Sequence, residues 1–286
     1  MTTLADFTTA GSVKILIAGD SGTGKTCSVA ALLLAGYRLR ILNLESSMQP
    51  LAAHAIRLGV PPAYFEALTD VVTIAPQYIF EDSKFRPDVV AAPVWSQIGH
   101  TIMNWPRPDG GVDPIYNWPA TDVLVIDSLS AISQASLASN RALLARQNRG
   151  QAPDAFGRDI GRAQDDIANF LDFIRADVIH CSIVLTAHME MQGQVWYPAA
   201  PGKALAPRIA RTFDFGARTE VAPGPQGPEF RMTCIPDTRY GWLKNTLGPI
   251  MPPFLPTHLA LGWLFEAVKG TVGPSGVSFG ALPPTA

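Results

Sequence analysis

An α/β sandwich on a mainly parallel sheet, with an antiparallel β extension late in the chain, is the fold this sequence predicts. Two observations carry that expectation. Through most of the chain, short apolar runs alternate with Ala/Leu-rich or amphipathic stretches, the pattern of strands buried on both faces and joined by crossover helices. From Phe213 onward the pattern turns to short alternating strands separated by turn residues. With 286 residues and 47% hydrophobic content, the chain can bury one substantial core. One domain is expected over 1–269, with an insertion at about 76–120. A Gly- and Pro-rich tail over 270–286 is expected to be disordered.

The elements follow in order. Val13 to Ala18 reads as a buried parallel strand and Lys25 to Leu34 as the helix after it, separated by a Gly-rich turn. Leu39 to Glu45 is a second strand, and "SMQPLAAHAIRLG" a helix closed by Gly59. "DVVTIAP" is a third strand. "PDVVAAPVWSQIGHTIMNW" is helical despite Pro93, with Pro87 acceptable at its start. "PRPDGGVDPIYNWP" is loop, because its Pro and Gly density forbids a regular element. "TDVLVIDS" and "CSIVLTAH" are strongly apolar strands. The Arg- and Asp-rich region between them, from Ser130 to Asp177, reads as two helices broken near "RGQAPD". "FDFGARTEV", "EFRMTCI" and "GWLKN" are the late strands, with "GPQGP" as a hairpin turn.

Composition excludes some functions. A formal net charge of −2 rules out a broadly basic protein that coats nucleic acid by charge alone, so any such contact is a local patch. Cys27, Cys181 and Cys234 are odd in number and far apart, without metal spacing, which points to a reducing, cytoplasmic setting. The first residues show no basic region followed by an apolar stretch. No apolar run approaches the roughly 18 residues of a membrane span, so no membrane partner is expected.

The segment "GDSGTGKT", Gly19 to Thr26, fits the pattern GxxxxGK[ST] between a strand and a helix. Loop N–H groups then surround phosphates, Lys25 reaches the β- and γ-phosphates, and Thr26 holds Mg²⁺. The expected ATP contacts are Gly19, Asp20, Ser21, Gly22, Thr23, Gly24, Lys25, Thr26 and Cys27. Asp127, closing the apolar "VLVIDS", is the second expected support for the metal. It is followed by Ser128 rather than Glu, so the group that orients attacking water must lie elsewhere. Glu45, at the end of the second strand, is the candidate; Glu66, Glu81 and Glu190 are less well placed. His188 closes "SIVLTAH" and would point at the γ-phosphate if its strand lies between those of the loop and of Asp127.

Taken in order, "GDSGTGKT", "LNLES", "VLVIDSLS" and "LTAHME", with a late "DTRYGWLKN", resemble the RecA-like P-loop ATPases, and most of all their short, core-only bacteriophage members, which include single-strand annealing proteins. The resemblance spans about Ser12 to Lys244. It implies a three-layer RecA-like sandwich and an ATP- and Mg²⁺-dependent ATPase that forms homo-oligomers in the cytoplasm. It also implies action on single-stranded DNA in recombination or annealing, with a single-strand-binding protein as a further partner.

By this resemblance Glu45 is the catalytic glutamate and His188 the sensor. Arg239 or Lys244 is the cationic finger reaching a neighbour's γ-phosphate, although Asp237 stands where relatives often have a basic residue. The segments after the Asp127 and His188 strands would face DNA. The first carries Arg141, Arg146, Arg149 and Arg158, and the second Trp196, Tyr197, Lys203 and Arg208, arginine for phosphate and an aromatic pair for stacking. Three alternatives stay open: a nucleotide-dependent switch, a small-molecule phosphotransferase, and a ring helicase.

Overall fold

The computed structural model describes residues 11–45, 48–75, 80–81, 84–85, 87–147, 157–225 and 227–270. The chain opens with strand β1 (Lys14–Gly19), a Gly-rich loop, and two short helices, α1 (Lys25–Ser28) and α2 (Ala30–Leu34). Strand β2 (Arg38–Asn43) is followed by α3 (Gln49–Arg57), α4 (Pro62–Leu68) and β3 (Thr69–Thr73). Two-residue strands β4 (Phe80–Glu81) and β5 (Lys84–Phe85) precede α5 (Pro87–Met103). A small ladder of β6 (Trp105–Pro106) and β7 (Val112–Asp113) leads to β8 (Asp122–Asp127), α6 (Leu129–Gln147), α7 (Arg158–Arg175) and β9 (Ser182–Ala187). The hairpin β10 (Met189–Gln192) and β11 (Val195–Pro198) comes next, then α8 (Ala206–Ile209), β12 (Phe215–Gly224), β13 (Gly227–Thr233), β14 (Leu255–Pro256) and α9 (Thr257–Val268).

Among the described residues the main sheet has eight strands in the order β14-β13-β12-β1-β9-β8-β2-β3. From β12 to β3 every pairing is parallel; β12–β13 and β13–β14 are antiparallel. Strand period sends Leu16 and Ala18 to one face and Ile15 and Ile17 to the other, and each set joins a separate core. One core is covered by α5 to α8, the other by α2 to α4 and α9. This is the expected three-layer α/β sandwich, with its mainly parallel sheet and late antiparallel extension.

Strands β8 and β9 are buried along their whole length, as expected of central parallel strands whose apolar side chains contribute about 1.5–3 kcal/mol each. Helix α7 buries Ala163, Ile167, Phe170, Leu171 and Ile174, a helical stripe that keeps its charged residues outward.

The structure differs from the sequence reading in four places. The helix expected over Lys25 to Leu34 is interrupted at Val29 into α1 and α2. "GWLKN" forms no strand; only Lys244 bridges to Gly216, and the third strand of the extension is β14. The loop "PRPDGGVDPIYNWP" contains a 3-10 turn over Ile115–Asn117 and one strand of the β6–β7 ladder. The helices α4 and α9 have no counterpart in that reading. The expected break near "RGQAPD" and the tail beyond Gly270 lie outside the described residues.

Within the 76–120 segment, α5 packs on α6, and Trp105 and Trp118 are core residues in edge-to-face contact, 5.3 Å between centroids. Buried Arg40 of β2 ties this segment to the sheet. Its guanidinium lies 4.2 Å from the Trp118 ring and pairs with Asp113 at 2.8 Å and Asp122 at 2.7 Å. Burial raises the Asp122 carboxyl above the usual range, and Arg40 pulls it back. Removing one member of such a buried ionic set costs about 3–5 kcal/mol.

Candidate functional site

The carboxyl ends of β1, β9, β8 and β2 lie side by side on one edge of the sheet. This is the edge at which open α/β sheets bind ligands. β9 sits between β1 and β8, the arrangement that brings His188 beside both the Gly-rich loop and Asp127. A cleft of about 290 Å³ opens there, lined by Ser21, Gly22, Gly24 to Cys27, Glu45, Pro50, Asp127 and His188.

The loop glycines serve different ends. Gly22 and Gly24 have φ of 78° and 90°, left-handed values that glycine adopts without steric cost. Gly19 is needed for closeness: a Cβ there would lie 2.2 Å from Thr219 Oγ1 and 2.8 Å from the Thr219 carbonyl. The Thr23 hydroxyl donates to the Asp20 carbonyl at 2.8 Å. Having one proton to give, it receives the Thr219 hydroxyl at 2.7 Å, which braces the loop against β12.

Lys25 Nζ donates to the Gly19 and Asp20 carbonyls, both at 2.8 Å. Burial lowers its pKa, while Asp127, Glu45 and Asp20 pull it back up. The ammonium is therefore short of compensating negative charge, a setting suited to an anionic ligand.

Thr26 Oγ1 donates to Asp127 Oδ2 at 2.7 Å, and the Thr186 hydroxyl holds Asp127 Oδ1. The two expected metal-supporting side chains thus meet at the cradle. Their hydroxyl and carboxylate oxygens suit a hard cation such as Mg²⁺, which usually takes one or two protein ligands with phosphates and water completing the shell. Among the described residues no three His, Cys, Asp or Glu side chains gather into a cage of their own.

Glu45 lies two residues beyond β2. Its backbone N–H donates to Asn43 Oδ1 at 3.2 Å, and Leu44 N–H continues the β8 ladder to the Asp127 carbonyl at 2.7 Å. Its Oε1 accepts the Ser128 hydroxyl and stands 3.3 Å from His188 Nε2. His188 N–H donates to Ser130 Oγ at 3.0 Å. The sequence reading missed Thr186, Thr219, Ser128 and Ser130. Only Ser128 carried a signal, as the polar residue that follows Asp127.

Neither Arg239 nor Lys244 lines this cleft. Arg239 is exposed; its N–H donates to Asp237 Oδ1 at 2.7 Å, and its carbonyl accepts Trp196 N–H at 2.9 Å. Lys244 Nζ is engaged with the Phe213 carbonyl at 2.5 Å.

The residues expected to meet DNA do not form one patch. Trp196 and Tyr197 are neighbours on β11 and face opposite sides of the hairpin, Trp196 across from Met191 and Tyr197 across from Glu190. Tyr197 packs against the core, which leaves Trp196 as the aromatic on the other face. Lys203 is exposed, Arg208 lines a separate groove between α7 and α8, and Arg141 pairs with Asp159 at 2.9 Å. The Arg146 side chain and Arg149 lie outside the described residues.

Beside the loop, a second cleft of about 520 Å³ is lined by Pro228 to Arg231, Phe254 to Pro256 and His258. Phe230 and Phe254 are 46% and 45% exposed, and Arg231 lies 5.6 Å from the Phe254 ring. A Cβ on Gly24 would lie 3.8 Å from Phe230 Cδ1, so this cleft adjoins the Gly-rich loop.

Among the described residues no helix is long and apolar enough to cross a membrane. No protein-family model and no curated protein matches the chain. Among solved structures, a KaiC-like protein from the hyperthermophilic archaeon Pyrococcus horikoshii OT3 is similar with a TM-score of 0.40 and 10% identity, over 77% of each chain.

Proposed function

We propose that this chain binds and hydrolyses a nucleoside triphosphate, ATP by preference, at the carboxyl edge of its sheet. One observation carries the reading: Lys25, Thr26, Asp127, Glu45 and His188, drawn from four strand ends, line a single cleft. Loop N–H groups and Lys25 bind the phosphates. Thr26 and Asp127 would hold Mg²⁺, which supplies charge neutralisation on the phosphate oxygens when bound.

Glu45 takes a proton from the attacking water. The water oxygen bonds to the γ-phosphorus, the bond from that phosphorus to the β,γ-bridging oxygen breaks with its electron pair leaving on the diphosphate, and the proton passes on to the phosphate product. His188, in contact with Glu45, addresses the same region from β9.

A single-stranded DNA partner, with recombination or annealing as its setting, is a second reading. It is favoured by the β10–β11 hairpin, which begins one residue after His188 and presents a half-buried Trp196, with exposed Lys203 following. An aromatic ring for stacking and a basic side chain for phosphate are the groups that bind single strands. One experiment tests both readings: phosphate release from ATP with and without single-stranded DNA, using Lys25→Ala as control. Hydrolysis is expected to fall by about 10²-fold or more in the variant, the scale of losing a main charge-stabilising donor. Hydrolysis that survives in Lys25→Ala removes the site. Lys25-dependent hydrolysis indifferent to DNA removes the DNA partner and leaves a switch or phosphotransferase.

A further inference from the structure

We propose that Ser128 is a positioning residue for hydrolysis, acting by holding the Glu45 carboxylate. The inference rests on the reading of Glu45 as the base. Glu45 stands beyond the end of β2 on a side chain 38% exposed, so neither strand pairing nor core packing fixes its rotamer. Two groups do hold it. The fully buried Ser128 donates its hydroxyl to Oε1, and His188 Nε2 stands 3.3 Å from the same oxygen.

A carboxylate only accepts and a serine hydroxyl has one proton to give, so the direction of that bond is fixed. The Ser128 oxygen also receives Ala131 N–H at 3.4 Å, at the first turn of α6. This orients the hydroxyl from the other side and leaves its proton for Glu45. Ser128 is itself fully buried and directly follows the last residue of fully buried β8, so its surroundings hold it in place. With Oε1 tied to this rigid point, Oε2 is the oxygen that takes the water's proton. The same turn supplies Ser130 Oγ to the His188 backbone. The sequence after Asp127 thus seats both the base and its neighbouring imidazole.

The geometry makes a kinetic statement, since misplacing a catalytic group by about 1 Å can cost roughly 10²-fold in rate. The experiment compares ATP turnover and ATP affinity in wild type, Ser128→Ala, Ser128→Cys, Glu45→Gln and the double variant Glu45→Gln/Ser128→Ala. Ser128→Ala should lower kcat by about 10- to 100-fold with KM and affinity unchanged. Ser128→Cys, which keeps the bulk and has only a weak donor, should fall with Ser128→Ala. It also keeps the test sharp if the smaller residue disturbs folding. The double variant should be no slower than Glu45→Gln, because Ser128 then has no base to position.

Three results would overturn the proposal: wild-type kcat in Ser128→Ala, full activity in Ser128→Cys, or losses that multiply in the double variant. If Glu45→Gln itself turns over normally, the base reading fails first and takes this proposal with it. That outcome differs from one in which Glu45 matters and Ser128 does not.

Discussion

Cys27, Cys181 and Cys234 differ in what surrounds their sulfur, and this gives the cleft at the Gly-rich loop a chemical reporter. Burial pushes the thiols of Cys181 and Cys234 up to about 12, helped at Cys181 by the Asp122 carboxylate. At pH 8 only about 10⁻⁴ of either is thiolate, the reactive form, and both are enclosed in the core. Burial also raises Cys27, but with Arg57 pulling the other way, and Cys27 is half-buried in the cleft wall with Sγ 3.6 Å from the Pro50 carbonyl. A thiol reagent at pH 8, followed by mass spectrometry, should therefore modify Cys27 first, and saturating ATP should slow that reaction. Cys181 and Cys234 should react only after denaturation. Modification of Cys27 at the same rate with and without ATP would place the ligand elsewhere.

At the scale of elements, the late antiparallel extension does more than close the sheet edge. β12 braces the loop through Thr219, and β13, β14 and the start of α9 form the cleft of Phe230 and Phe254 next to Gly24. An apolar, aromatic-lined pocket adjoining a phosphate cradle fits the base of the nucleotide, since an aromatic ring offers a stacking face worth about 1–3 kcal/mol per base. Phe230→Ala is accordingly expected to weaken ATP binding by about 5- to 150-fold while leaving inorganic triphosphate, which has no base, unaffected. Calorimetry with both ligands checks it, and an equal loss for the two would make Phe230 a structural support of the loop.

This part of the site was the least legible in the sequence. The cradle, Asp127 and Glu45 could be placed because a mostly apolar strand announces where it ends, and polar residues at or just past that end fall on the ligand edge. Phe230 and Phe254 follow no such rule, as their meeting depends on the path of the chain between β13 and β14. Helix α9 was missed for a related reason. It buries seven of its residues, Thr257 and Ala260 to Phe265, and so lacks the broad polar face that makes helical period visible. The aromatic pair Trp196–Tyr197 read as one stacking surface only while its strand was unseen, because neighbours on a strand point apart.

At the scale of the whole molecule, the open question is where the cleft obtains a cation to match the charge developing on the γ-phosphate. Within the chain, Lys25 is the one Lys or Arg that lines it among the described residues. Arg239 is held away from the cleft yet exposed, its loop fixed by Asp237 and tied through its carbonyl to the β10–β11 hairpin. An exposed arginine on an anchored loop suits delivery into a second copy of the chain, where such a finger is worth about 10³–10⁵ in rate. If it acts that way, turnover per chain should rise with protein concentration, and Arg239→Ala should abolish the rise. The decisive version mixes two inactive variants. Lys25→Ala chains cannot use their own cleft but still carry Arg239, and Arg239→Ala chains have an intact cleft without a donor. Delivery between chains requires the mixture to recover activity that neither variant shows alone, because each cleft needs one residue from each copy. A mixture no more active than its parts would mean that Arg239 serves its own chain or none, and the hairpin contact would then be simply a loop anchor.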